Sequence, residues 1–281
     1  MEVDFVKIDP TQNMTILVTS PLDRACYRDV AEKIMAYENV YAEQVGFLEK
    51  PENPQALARL QMAGGEFCGN ASLSLCAYLV WKGRVECGES CRVPIEVSGA
   101  DGILFCDIKK AEPKNQLANN CFLGKIEMPV PETIKDFCIE IGGESFSFPL
   151  VYMPGISHVI VDIETVKLNE ELLVETMMSN IHAFTNEDAM GVMFYDKTRC
   201  RIRPFVYVKT AGTKVWEKGC GSGTASLGAY LAHVSGKNVE ADVVQPGGTI
   251  RVEAEVAAGK ITKISIEGKI VIAAEGKAYL N

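Results

Sequence analysis

The feature that most constrains this chain is an internal echo. Residues 67–79 read F-C-G-N-A-S-L-S-L-C-A-Y-L, and residues 219–231 read G-C-G-S-G-T-A-S-L-G-A-Y-L. Aligned without gaps, they share Cys-Gly, a polar residue, Ser-Leu and Ala-Tyr-Leu. The two cysteines, Cys68 and Cys220, stand 152 positions apart in a chain of 281 residues. Stacked repeat arrays have periods of about 20–50 residues, so this spacing points to two related halves instead. A weaker echo precedes each one: Lys7–Val18 resembles Tyr152–Val161, both reading as a turn that feeds a β-branched strand. The expectation is two pseudo-symmetric domains. Residues 1–130 would carry Cys68, with a C-terminal strand near 270–281 returning to them, and residues 131–281 would carry Cys220.

Local patterning gives the class. Ala71–Trp81 and Thr224–His233 are apolar around most of a helical circumference, which predicts buried helices. Lys82-Gly83 and Ser235-Gly236 supply their stop signals. Amphipathic helices are expected over Asp23–Tyr37 and Asn169–Met178. Strands are expected at Met14–Thr19, Ile103–Ile108, Phe146–Val151, Val159–Asp162, Val192–Tyr195, Arg203–Lys209, Thr249–Val256 and Ile264–Ala273, with Gly142-Gly143 and Gly247-Gly248 as turns. The Pro- and Asn-bearing stretch Glu112–Pro131 reads as a linker. The fold class is therefore α+β, each half a curved β-sheet or roll around a central helix.

A formal net charge of −9 with scattered Lys and Arg argues against nucleic acid or an anionic membrane surface as partner. No charged-then-apolar leader and no apolar run of bilayer length are visible, so the expectation is a soluble, cytoplasmic protein. The 10 cysteines follow no framework spacing and are expected as reduced thiols. Cys87 and Cys91, in C-G-E-S-C, have a spacing that zinc ligands use, but a second ligand pair is lacking, so no metal is expected. His158, His182 and His233 are far apart and read as ordinary core or surface histidines.

Cys68 and Cys220 each stand directly before a predicted helix. A helix N-terminus presents unpaired N–H groups and the positive end of a dipole, which favour a thiolate and bind carboxylates. Gly69, Gly221 and Gly223 let a ligand approach the backbone, and Asn70 and Ser222 are placed to cap the helices or bond the ligand. Two such termini facing each other would leave an amino acid's α-carbon between two sulfurs. One thiolate would remove the α-proton and the opposite thiol would return one, which is racemisation. No cofactor is needed, and G-C-G-S-G-T lacks the spacing and the Lys-Ser/Thr ending of a phosphate loop.

E-F-C-G-N-A (Glu66–Ala71) and G-C-G-S-G-T-A-S (Gly219–Ser226) resemble the two active-site motifs of the diaminopimelate epimerase-like superfamily, and the resemblance runs over nearly the whole chain. It implies a cofactor-independent, two-domain enzyme with one cysteine per half. N-M-T-I-L-V (Asn13–Val18), E-Q-V-G-F (Glu43–Phe47), W-E-K-G-C-G-S-G-T-A-S (Trp216–Ser226), Q-P-G-G (Gln245–Gly248) and G-K-A-Y (Gly276–Tyr279) are similar to the histidine racemase branch. That branch is typified by the enzyme supplying D-histidine for the metallophore staphylopine. The chain departs from true diaminopimelate epimerases where those hold the substrate's distal carboxylate. It has P-G-I-S-H for Asn-Pro-His and Met193-Phe194 for Asn-Phe. Gln61-Met62-Ala63 lacks the usual asparagine, and Glu217-Lys218 lacks the arginine. Leaving a buried carboxylate unpaired would cost several kcal/mol, so diaminopimelate is not the preferred substrate.

The resemblance thus implies histidine racemase, with Cys68 and Cys220 as base and acid. Asn13, Gly69, Asn70, Gly221, Ser222 and Gly223 would hold the amino and carboxylate groups, and Glu43 would read the imidazole. The partner is a small amino acid, with a homodimer as one possible assembly. The alternatives are a racemase or epimerase of another amino acid on the same scaffold, diaminopimelate included, a proline racemase-like or phenazine-biosynthesis-like isomerase, and a non-catalytic amino-acid-binding protein.

Overall fold

The computed structural model describes residues 1–111, 120–166, 169–209 and 212–281. In chain order the elements are β1 (Glu2–Pro10), β2 (Thr15–Val18), α1 (Tyr27–Met35), β3 (Gln44–Glu49), β4 (Arg59–Met62), α2 (Gly69–Trp81), β5 (Ser90–Val97), β6 (Leu104–Lys110), β7 (Cys121–Met128), β8 (Thr133–Ile141), β9 (Glu144–Met153) and β10 (Ile156–Asp162). They continue with α3 (Glu170–Ser179), α4 (Ile181–Phe184), β11 (Ala189–Asp196), β12 (Arg201–Val208), β13 (Thr213–Trp216), α5 (Gly221–Ser235), β14 (Val239–Gln245), β15 (Gly248–Ala257) and β16 (Lys260–Tyr279). The protein is α+β and divides into two compact units, one of residues 1–127 with 267–281 and the other of residues 128–266.

In the first unit the strands run in the order β1-β2-β3-β4-β5-β6-β7-β16, and β16 also pairs with β1, so the sheet closes on itself. The closing ladder is antiparallel, Glu2 opposite Tyr279 through to Pro10 opposite Ile270. Helix α2 packs against β1 to β6. Strands on so many sides explain why its apolar residues have no single face: every residue from Gly69 to Leu79 is buried except Tyr78. Each fully buried Leu there stabilises the fold by about 1.5–3 kcal/mol. The hydroxyls carried inside are satisfied locally, Ser74 Oγ donating to the Asn70 carbonyl at 2.8 Å.

The second unit repeats the plan with different wiring. Its order is β8-β9-β10-β11-β12-β14-β15, with the first residues of β16 beside β15 and β13 attached to β12. Helix α5 packs on β9, β10, β11, β14 and β15. It ends at Gly236, whose φ of 65° is the left-handed turn that glycine adopts without strain. Helices α3 and α4 cover the other face of these strands, where Leu173, Met177, Ile181 and Phe184 join Phe148, Val159 and Val192 in one core. Asn169 caps α3 by accepting from Leu172 N–H at 3.0 Å.

Two expectations are corrected. Glu112–Pro131 is not simply a linker: Cys121–Met128 is strand β7, alternating in burial, while residues 112–119 lie outside the described residues. Its C-F-L-G-K-I-E-M alternation was masked by flanking prolines and asparagines. The second concerns Cys87 and Cys91, expected as reduced thiols and joined here by a disulfide bridging Cα atoms 5.1 Å apart. The four-residue spacing folds back on itself just after α2, which brings the sulfurs together. Among the described residues no group of acidic, His and Cys side chains forms a metal site. Among the same residues no helix is long and apolar enough to cross a membrane.

Candidate active site

In the first unit the site is built at the N-terminus of α2. Cys68 is the N-cap residue, extended at φ −136°, and its Sγ accepts from Ala71 N–H at 3.4 Å. The cysteine itself therefore caps the helix, the role expected of Asn70, which with Gly69 forms the first helical turn instead. The Cys68 carbonyl accepts from Ser72 Oγ at 2.7 Å. From Sγ a chain of hydrogen bonds runs into the sheet. The thiol donates to Gln44 Oε1 at 3.0 Å, and Gln44 Nε2 donates to Asn13 Oδ1 at 2.6 Å and to Thr15 Oγ1 at 2.7 Å. Asn13 Nδ2 donates to Glu43 Oε2 at 2.9 Å. The β1–β2 turn aims Asn13 inward through two non-glycine residues in the left-handed region, Thr11 at φ 55° and Gln12 at φ 60°. Such positions persist only where surrounding structure holds them. The structure thus joins Asn13, Glu43 and Cys68, and adds Gln44, which the sequence reading passed over.

In the second unit α5 repeats the construction. Cys220 is the N-cap, and its Sγ accepts from Gly223 N–H at 3.3 Å. Its carbonyl accepts from Thr224 Oγ1 at 2.6 Å, as that of Cys68 does from Ser72. Gln245 clamps this turn. Its Oε1 accepts from Cys220 N–H and its Nε2 donates to Thr224 Oγ1, both at 2.7 Å. Beside it Gly247 N–H donates to the Lys218 carbonyl at 2.7 Å, so the Q-P-G-G motif serves to hold the cysteine loop. Ser222 does not cap the helix; its Oγ lies 3.5 Å from Cys220 Sγ and 3.2 Å from His158 Nε2. The other imidazole nitrogen, Nδ1, is 2.9 Å from Ser226 Oγ. His158 is completely buried, and that burial pushes it down to about 3, so it stays neutral. Read from the sequence as an ordinary core or surface histidine, it is a core one, and its two ring nitrogens make it a strut beneath the Cys220 turn. The available signal was Ser226, on a helix apolar around most of its circumference and one turn after Ser222: a buried hydroxyl needs a partner.

Cys220 is only 3% exposed. Burial is the largest cause raising its thiol well above the usual range, and the Glu217 carboxylate adds to it, while Ser222 and Gly223 N–H oppose it. Were Cys220 to serve as a base, it would first have to lose its proton, and a raised thiol would move the ascending limb of a pH–rate profile to higher pH. Activity should therefore still be climbing above about pH 8.5, the ordinary thiol range. Glu217→Gln removes one raising charge and should move that limb to lower pH, read from kcat/KM between pH 6 and 10. A limb that stays put or moves upward would show that Cys220 is not the group titrating.

Glu217 also borders an open groove of about 710 Å³ lined by Asn169, Glu170, Arg203, Trp216 and Lys218. The Arg203 guanidinium lies 4.6 Å over the Trp216 ring and pairs with Glu170.

The family description "Histidine racemase CntK N-terminal domain" matches residues 2–279. A histidine racemase of Fusobacterium nucleatum (strain ATCC 23726) is 36% identical over 283 residues, covering 99% of this chain and 97% of that protein. A histidine racemase of Staphylococcus aureus (strain Mu50) is 29% identical over 280 residues, covering 99% and 98%. Among solved structures, a probable proline racemase from Agrobacterium radiobacter K84 superposes with a TM-score of 0.68 at 15% identity, covering 99% of this chain and 93% of that one. A hydroxyproline epimerase from Agrobacterium vitis gives 0.69 at 13%, covering 100% and 93%. These two show a shared fold. With a family match spanning nearly every residue and full-length relatives above 30% identity, this chain belongs to the histidine racemase family.

Proposed function

We propose that the protein interconverts L- and D-histidine with Cys68 and Cys220 as its acid/base pair, on a diaminopimelate epimerase-like fold of two related halves. One observation carries the reading: in a chain of this family, two cysteines are built alike. Each caps a buried helix, accepts an N–H from three residues on, and has its carbonyl held by the hydroxyl four residues on. Inert core cysteines need none of this.

Inversion requires a proton to leave one face of the α-carbon and another to arrive on the opposite face. One sulfur as thiolate takes the α-proton, the other as thiol supplies its replacement, and the roles exchange with direction. The N–H groups in the first turns of α2 and α5, around Gly69 and Asn70 and around Gly221, Ser222 and Gly223, suit the substrate carboxylate and the charge that develops next to it. Asn13 serves the polar groups on the α-carbon. Glu43, an acceptor on the same hydrogen-bonded chain as Cys68, suits an imidazole N–H.

The test is α-proton exchange in deuterated water followed by chiral chromatography, without added pyridoxal phosphate. L-histidine is compared with L,L-diaminopimelate, proline and a few other amino acids. Deuterium incorporation together with D-histidine is the expected result. Exchange confined to another amino acid would overturn the substrate and keep the chemistry. Binding without exchange in any of them would leave an amino-acid-binding protein.

A further inference from the structure

The hydrogen bonds leading to Cys68 have a direction, and one charged group sets it. A carboxylate only accepts, so the Asn13 atom 2.9 Å from Glu43 Oε2 is the amide nitrogen. Asn13 then turns its Oδ1 toward Gln44, and a carbonyl oxygen also only accepts. The Gln44 atom 2.6 Å from it must be Nε2. The hydroxyl of Thr15, completely buried, follows the same choice, since it can rotate to donate or to accept. Here its proton goes to the main-chain carbonyl of Asn13 at 3.1 Å, and toward Gln44 Nε2, at 2.7 Å, it accepts. Gln44 is left with its Oε1 facing Cys68 Sγ at 3.0 Å. An oxygen lone pair at that distance welcomes S–H and repels S⁻. The opposing donor, Ala71 N–H, stands further away at 3.4 Å.

We propose that Glu43 is a positioning residue that acts through Asn13 and Gln44 to hold Cys68 as a thiol in the substrate-free protein. The negative charge is read at the sulfur three hydrogen bonds away, because turning either amide would set carbonyl against carboxylate or N–H against N–H. Resting on the two-thiol reading above, this makes Cys68 the proton donor of the first turnover and Cys220 the group that must ionise to begin it. The strands packed on α2 also carry Lys7, Glu49, Arg59, Glu96 and Asp107, of which Lys7 donates to the Val40 carbonyl and Arg59 pairs with Glu49 and Glu96, and Glu66 and Asp9 lie nearer its N-terminus. Glu66 is two residues ahead of Cys68 and folds back over Gly64, and Asp9 accepts from Gln12 N–H. The hydrogen bonds described for these two run to their own loops.

The readout is the rate of Cys68 modification by iodoacetamide from pH 6 to 10, followed on its peptide by mass spectrometry with Cys220 as internal reference. In Glu43→Gln the side chain at 43 presents either an oxygen or an N–H, so no fixed charge forbids the turned amides, and Gln44 Nε2 can face the sulfur. Modification at pH 7 should rise about tenfold, equivalent to a shift of about one pH unit. Gln44→Glu presents oxygen to the sulfur in every orientation and should move Cys68 the opposite way. Glu43→Asp, which keeps the charge, should behave as the native protein does. Opposite signs from neighbouring substitutions are not what general loosening produces. A Glu43→Gln profile that coincides with the native one or moves to higher pH would overturn the proposal, as would both variants shifting alike. Should Glu43→Gln fail to fold by circular dichroism, Gln44→Glu decides alone: an unchanged or faster rate overturns it. Alkylation needs no turnover, so a protein whose Cys68 responds as expected yet exchanges no histidine proton would keep the relay and lose the racemase reading.

Discussion

Cys220→Ser and Cys68→Ser should each lower histidine racemisation by about 10²–10⁴-fold, the range that a positioned acid or base supplies, while leaving the fold intact. Serine isolates the chemistry because it preserves the architecture. Its Oγ can still accept from Gly223 N–H or Ala71 N–H, and serine is among the preferred N-cap residues. Stability should stay within about 1 kcal/mol, the usual worth of a cap, and ligand affinity should survive. What is lost is acidity, since a hydroxyl is not a workable proton donor or acceptor at neutral pH where a thiol is. Chiral chromatography and urea denaturation on the same preparations separate the two effects. Near-native racemisation by either variant would show that its sulfur takes no part in proton transfer.

Gly223→Ala should be nearly as damaging by a different route. The backbone there is ordinary helix, so space decides. A Cβ at 223 would lie 2.2 Å from Met193 Sδ, 3.1 Å from Met193 Cε and 3.1 Å from Cys220 Sγ. Met193 is completely buried on β11 and cannot swing into solvent. One of two things must yield: the methionine, or the first turn of α5 with its cysteine. Overpacking of this kind costs about 1–3 kcal/mol. Displacing Cys220 should cost activity well beyond what the stability loss explains, visible as a fall in kcat with the protein still folded. Pairing it with Met193→Leu, which withdraws the sulfur, should recover part of that loss. A Gly223→Ala protein with native kcat would mean the turn has slack that these distances do not show.

The parts of the molecule legible in the sequence were those encoded by neighbours along the chain. Both central helices were visible because their apolar residues leave no polar face, and their ends because Lys82-Gly83 and Ser235-Gly236 follow. Helix α3 fell within a residue of its expected span, since Asn169 precedes its acidic first turn. Strand β7 was hidden, its alternation set between Pro113 and Pro129. The site divides the same way. The cysteines announce themselves through Cys-Gly before a buried helix, whereas Glu43 and Asn13 carried no signal beyond the resemblance. Gln44 touches Cys68 across 24 residues of sequence and His158 touches Ser222 across 64. Nothing local records either contact. Only the demand that buried polar groups find partners points to them, and that demand does not say which partner.

The closure of the first sheet by β16 has a consequence for how the protein is made. Strand β1 leaves the ribosome before the other strands described, yet its partner Ile270–Tyr279 leaves after all of them, with Met1 N–H donating to the Leu280 carbonyl. The second unit, residues 128–266, is contiguous and can gather its core while synthesis continues. The first cannot shut until the last residues are free, so during translation it presents β1 and β7 as open edges. In the newborn chain the half that began first finishes last. Residues 270–279 then act as the fastening of the first unit, and their removal would be felt around Cys68 rather than around Cys220.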